Sequence, residues 1–157
     1  RKHAHQDYVL KMKDQQYSLR YEAGESSTHM FGGNSNWRGP IWFPMNYMLI
    51  QSLYTYCHFF DGESTAEYPT GSGNHVNFTS IADDISRRLI NMFVPDQTGH
   101  RPVNGDYTLF GRDPHFKDLI LFYEYFHGDN SRGVGASHQT GWTGLVAELI
   151  DKVIWKN

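Results

Sequence analysis

Cysteine, charge of either sign and long apolar runs are all scarce in this sequence, and each shortage removes a class of protein. Cys57 is the single cysteine, so an internal disulfide and a cysteine-built metal site are both excluded. It falls within an apolar helical pattern and reads as a small buried hydrophobe. Charged residues make up 20% of the chain, with a formal net charge of -3, and the lysines and arginines are scattered, so nucleic acid is not expected as a partner. No run approaches the roughly 20 apolar residues of a membrane-spanning helix, and no signal peptide opens the chain. No membrane partner is expected, and a cytoplasmic location is. A dinucleotide fingerprint is missing, as is a Gly-x-Ser-x-Gly elbow around the adjacent Ser137 and His138, and no metal-ligand spacing occurs. His3 and His5 stand at strand spacing, but nothing nearby completes a ligand set, and they read as a solvated terminus. Arg1 stands where an initiator methionine is absent, which points to a piece of a longer protein.

What is abundant is aromatic side chains and glycine. Among 157 residues, 39% are apolar, 15% are aromatic and 15 are glycine, enough for one domain with an ordinary core. Several rings stand in polar, glycine-rich surroundings, notably Trp37, Tyr107 and Trp142. Sugar-binding clefts use such rings as apolar platforms, and ordinary buried aromatics are the competing reading.

Along the chain, an irregular lead-in ends in a short strand near residues 17–21, followed by a loop over residues 22–36 dense in Gly, Ser and Asn. Trp37-Arg38-Gly39-Pro40-Ile41-Trp42 is an unusual hexapeptide in which two indoles bracket an arginine and a Gly-Pro turn. From Ile41 to Phe60 the apolar positions recur at helical spacing, predicting one long and largely buried helix with Pro44 in its first turn. Asn46 lies one turn beyond Trp42 on the same face, as a ligand contact or as a loop-bridging amide. Residues 61–77 read as a second loop, in which Glu67 is a solvated acid rather than a catalytic one. Asn77-Phe78-Thr79 is an N-glycosylation sequon that would matter only in a secreted protein. Thr79 or Ser80 would cap the next helix, Ile81–Val94, whose charged residues read as a solvated face. Residues 96–116 read as loop, Leu119–Phe126 as a short helix, and Gln139–Trp155 as a final helix burying Trp142, Leu145, Val146, Leu149, Ile150 and Val153.

The stretch Leu119–Trp142 concentrates the chemistry. An apolar, aromatic run delivers Glu124 to the edge of a glycine-rich loop, which returns through His138, Gln139 and Trp142. Flanked by Phe122, Tyr123, Tyr125 and Phe126, the Glu124 carboxyl would be partly shielded from water, an environment suited to a general acid or base. A structural glutamate bonded to loop amides is the alternative on the residues alone.

Gly32–Tyr47 (GGNSNWRGPIWFPMNY) and Glu124–Ala147 (EYFHGDNSRGVGASHQTGWTGLVA) together resemble the C-terminal part of the catalytic domain of glycoside hydrolase family 63 and its mannosylglycerate- and glucosylglycerate-hydrolase-like relatives. The order and spacing of the two motifs match, and nearly the whole chain is covered. The resemblance implies an all-α fold, part of an (α/α)6 toroid whose helices are joined by long glycine-rich loops, with one short hairpin near the N-terminus. It implies that residues 1–157 are a single incomplete domain, and that the activity is hydrolysis of α-glucosidic or α-mannosidic bonds with inversion. Glu124 then corresponds to the general base, Trp37 and Trp42 to aromatic walls of the sugar subsite, and Gln139 to a polar sugar contact flanked by His138 and Trp142. Arg38 lies in the same motif, either toward substrate or clamping the loop to a structural carboxylate. No cofactor or metal is implied, and the partner is an oligosaccharide or small glycoside.

The family's general acid is an aspartate upstream of the Trp-Arg-Gly-Pro element. Only Asp7 and Asp14 precede that element here, and neither stands in a matching context. Since inversion needs two carboxylates about 6.5–9.5 Å apart, the acid is expected from sequence outside this chain. The competing function is a non-catalytic helical carbohydrate-binding or interaction module, and a second carboxylate across the cleft would discriminate the two.

Overall fold

The computed structural model describes residues 5–28 and 37–155. His3 and the Gly32–Asn36 part of the first motif lie outside the described residues. Near the N-terminus β1 (Tyr8–Met12) and β2 (Gln15–Leu19) pair antiparallel around a two-residue turn, the expected short hairpin, one strand longer than residues 17–21 alone announce. A helical hairpin forms the body. In it α1 (Phe43–Phe59) packs on α2 (Phe78–Asn91), and between them β3 (Thr65–Glu67) and β4 (His75–Asn77) pair antiparallel, where only a loop was expected. A short α3 (Leu109–Arg112) follows, then β5 (Tyr125–Phe126) paired with β6 (Gly133–Val134), and finally α4 (Thr140–Thr143), α5 (Val146–Ile150) and a π-helical turn at Asp151–Trp155.

The core follows from the periodicity of α2. Ile81, Ala82, Leu89 and Ile90, two turns apart in pairs on one face of α2, are buried and form the core with Phe43 and Ile50 of α1 and Val146, Leu149 and Val153 of the C-terminal segment. Phe126 is wholly buried at the centre, edge-on to Phe43 at 5.9 Å and to Phe93 at 5.8 Å. Ser86, also fully buried, donates to the Ala82 carbonyl at 2.8 Å, so no hydroxyl is left unpaired there. Asn77 caps α2 by accepting the Ser80 N–H at 2.8 Å, taking the place expected for Thr79 or Ser80. The side chains of Asp83 and Asp84 are engaged as well, accepting from the hydroxyls of Tyr54 and Tyr68.

Three expectations are overturned. The fold is not all-α, because three small antiparallel sheets stand among the helices. Leu119–Phe126 is not helical. Its uniformly apolar residues have no polar face to give solvent, and its backbone bonds across the chain instead of along it, Glu124 N–H to Ala136 O at 2.8 Å and Gln139 N–H to Phe122 O at 2.7 Å. The 139–155 segment is interrupted at Gly144 and Leu145, burying Val146, Leu149 and Val153 while Trp142, Leu145 and Ile150 are only partly covered. In addition, α1 is not largely buried. Met45, Met48, Leu49, Tyr56 and Phe59 stand exposed along one side, Phe59 at 75%, because α2 covers only the opposite side.

Candidate active site

The two motifs meet through backbone. Ile41, expected inside the helix, instead bridges Phe126, with N–H to O distances of 2.8 and 2.9 Å in the two directions. Trp42 is the extended residue that precedes α1, and Pro44 lies in the first turn of the helix, where its missing N–H costs no hydrogen bond. This bridge adds one extended residue beside β5, so that Trp42 comes to lie on Tyr125 with ring centroids 4.6 Å apart. Trp37 then stacks on Trp42 at 4.0 Å, with planes 6° apart. Trp42 is buried inside this stack and Trp37 is 59% exposed. The outer indole is thus the available platform, and the inner one supports it.

Glu124 precedes Tyr125 and is held from three directions. Its N–H donates to Ala136 O at 2.8 Å, its carbonyl accepts from Trp142 Nε1 at 3.0 Å, and its Oε2 accepts from the Ala136 N–H at 3.2 Å. Such anchoring fixes a carboxylate's position without burying it, and Glu124 is half-buried. Trp142 therefore serves Glu124 directly, by orienting its backbone. His138 and Gln139 lie on the returning strand of the loop with exposed side chains, His138 in a parallel bridge with Phe122. Beneath them the Thr143 hydroxyl donates to the Tyr123 carbonyl. Asn46 donates its Nδ2 to the Trp42 carbonyl at 2.8 Å, bracing the start of α1.

Arg38 is turned to a structural partner. Its guanidinium meets the Glu22 carboxylate at 2.9 Å, one of the two roles open to it from the sequence. Burial pushes the Glu22 carboxyl up, but the hydroxyl and N–H of Ser27 and the charges of Arg38 and Arg20 outweigh that and hold it below its ordinary value. The same N-terminal segment is strapped to the loop after Glu124: Gly128 N–H donates to Ala23 O at 2.7 Å and the Tyr21 hydroxyl to Asp129 at 3.0 Å. A side chain at Gly128 would run into the Gly39 carbonyl, so glycine is required for the three segments to converge. Glu67 is occupied elsewhere, accepting the Gly73 N–H at 2.8 Å, and the amides of Gly73 and Gly71 lower its pKa. Asp7 accepts from Ser18 within the first hairpin. Among the described residues no three His, Cys, Asp or Glu side chains gather as a metal-holding set, and no helix is long and apolar enough to cross a membrane.

Beside Gly135 opens a cleft of about 360 Å³ lined by Glu25, Tyr107, Phe110, Tyr123 and Arg132. The Tyr125 hydroxyl is raised above its ordinary value first by burial, then by the charges of Glu25 and Glu124, which places both carboxylates within electrostatic reach of one hydroxyl. Neither Glu22 nor Glu25 stood out in the sequence. Both belong to a loop whose composition reads as surface, and only the strap through Gly128 brings it to the site.

The family model described as the glycosyl hydrolase family 63 C-terminal domain matches residues 10–93. The chain belongs to glycosyl hydrolase family 63. The matched span contains the Trp37–Asn46 element of this family 63 chain, and Glu124 lies beyond it. The chain is similar to an uncharacterised protein of Saccharomyces cerevisiae, 42% identical over 153 residues, which are 96% of this chain and 14% of that protein. It is also similar to alpha-glucosidase 2 of Arabidopsis thaliana, 26% identical over 140 residues (87% of this chain, 14% of that protein), and to a probable mannosyl-oligosaccharide glucosidase of Schizosaccharomyces pombe, 25% identical over 120 residues (76% and 11%). No solved structure matches the chain.

Proposed function

We propose that this chain carries the water-activating half of a glycosidase active site that hydrolyses α-glucosidic or α-mannosidic bonds with inversion. The observation that supports this most directly is the anchoring of Glu124, a half-buried carboxylate held through its own N–H, C=O and Oε2 beside a three-ring aromatic stack. In a family whose matched relatives include two proteins named as glucosidases, such a group fits the general base. It would take a proton from a water molecule as that water's oxygen forms a bond to the anomeric carbon. The bond from that carbon to the leaving oxygen breaks with its electron pair, and an acid supplied by sequence outside this chain protonates that oxygen. The exposed face of Trp37 would carry the apolar face of a sugar ring, and the exposed side chains of His138 and Gln139 would reach its hydroxyls. On this reading residues 1–157 form the C-terminal portion of a larger catalytic domain.

The test is Glu124→Gln in the protein assayed on α-linked glucosides and mannosides. The amide keeps the shape and cannot take a proton, so turnover should fall by about 10²–10⁴-fold with KM little changed. The anomer first released, read by NMR, should be the inverted one. Unaltered turnover in Glu124→Gln would overturn the assignment, and sugar binding without hydrolysis by the unaltered protein would favour a binding module.

A further inference from the structure

We propose that Glu22 is a positioning residue for the Trp37 indole, gripping Arg38 with its carboxylate and Gly39 with its backbone, so that the outer ring of the stack is fixed from the N-terminal segment. The proposal rests on the reading of Trp37 as a platform for a sugar ring. Stacking on Trp42 at 4.0 Å sets how far Trp37 stands from its neighbour, but ring-on-ring attraction tolerates sideways offset, and Trp37 is 59% exposed. Its lateral position therefore depends on the backbone that carries it. That backbone is pinned at Ile41 by the bridge to Phe126 and, nearer to the ring, by Glu22.

Two contacts make the nearer pin. The Glu22 carboxylate meets the Arg38 guanidinium at 2.9 Å, with the Glu22 side chain only 9% exposed, and a charge-assisted bond of this length is directional as well as strong. The Glu22 carbonyl lies directly against Gly39, where any Cβ would come within 2.0 Å of its oxygen. The anchor is itself immobilised. Glu22 Oε1 accepts the Ser27 N–H at 3.0 Å and the Ser27 hydroxyl, Oε2 accepts the Ser26 hydroxyl at 3.4 Å, and Arg20 Nε stands 3.6 Å from Oε1. A carboxylate that collects so many donors holds its partner more firmly than a solvated surface pair, whose long side chains drift apart. Neutralising it releases Arg38 and leaves Trp37 joined to the Ile41 bridge through residues 38–40. Glu22 acts through Arg38 and Gly39 rather than on a ligand, so its loss should weaken binding and spare the chemical step.

The experiment labels the protein with fluorotryptophan and identifies the Trp37 fluorine resonance by its loss in Trp37→Phe. In Glu22→Gln, which keeps the size of the side chain and removes its charge, that resonance should shift and broaden, and in Arg38→Met it should do the same. Combining the two should add little, because both break one contact, and Arg38→Lys, which returns a positive charge to Glu22, should restore most of the signal. In steady-state kinetics on whichever α-linked glucoside or mannoside the protein turns over, Glu22→Gln should raise KM about three- to tenfold with kcat nearly unchanged, a split that a general loss of folding does not produce. A Trp37 resonance unmoved in folded Glu22→Gln and Arg38→Met, or a fall in kcat at unchanged KM, would overturn the proposal. Absence of turnover in the unaltered protein would count against the sugar platform alone, since the fluorine spectrum needs no ligand and still decides whether Glu22 positions the ring.

Discussion

Gly135 has φ +76° and would bring any Cβ against the Glu124 carboxylate and the Tyr125 ring. Gly135→Ala should therefore displace Glu124 as well as strain the backbone by about 1 kcal/mol. Activity should fall at least tenfold by steady-state kinetics, with only a modest drop in thermal midpoint. Tyr54 carries a different signature. Its hydroxyl donates to Asp83 at 2.5 Å, and burial first and Asp83 second push its pKa up to about 12 from 10.0. The folded state holds that proton more tightly than the unfolded one, so the associated stability is intact below about pH 10 and is lost as pH rises through about 12. Urea unfolding across that window should show the decline, and Tyr54→Phe should flatten it. Glu22 has the opposite sign: its lowered pKa means stability present above the ordinary carboxylate range and lost as pH falls through it. Arg38→Ala should reduce that acid sensitivity while weakening the strap to the loop after Glu124.

At the scale of elements, α2 is defined at its start by a side chain and along its length by periodicity. Asn77→Ala removes the acceptor for the Ser80 N–H and should cost about 1 kcal/mol in chemical unfolding. The β5–β6 pair is only two residues long on each side, so its persistence depends on what surrounds it: the Ile41 bridge, the Trp37–Trp42–Tyr125 stack and the burial of Phe126. Phe126→Ala should cost about 3–5 kcal/mol and should also abolish activity, because Glu124 stands two residues before it, immediately ahead of β5. This element was misread from the sequence for a physical reason. Leu119–Phe126 is too short and too uniformly apolar to show a period, and what decides between helix and strand is the availability of Ala136, Gln139 and Ile41 as hydrogen-bond partners, all distant along the chain or across a loop.

The whole molecule is two-sided. One side of α1 contributes Phe43 and Ile50 to the core, while Met45, Met48, Leu49, Tyr56 and Phe59 face outward as an exposed apolar stripe. Met48→Lys combined with Phe59→Lys, both at exposed positions, should change stability by less than about 0.5 kcal/mol in urea unfolding. The apolar spacing along residues 41–60 announced the helix correctly and could not announce which flank would be covered, since helical periodicity reports a face and not its partner.

Local chemistry by itself determined α1 and α2 as helices, the turn-rich glycine loops and Glu124 as the carboxylate set among aromatics, because spacing, propensity and side-chain type act within a few residues. The tertiary structure alone decided that Ile41 would pair with Phe126, that Trp42 would be the inner and Trp37 the outer ring, that Arg38 would be taken up by Glu22, and that Glu25 would line a cleft next to Glu124. Each of these joins segments many residues apart, and which of several equally polar or equally aromatic side chains meet there depends on how the backbone closes, a quantity no local pattern contains.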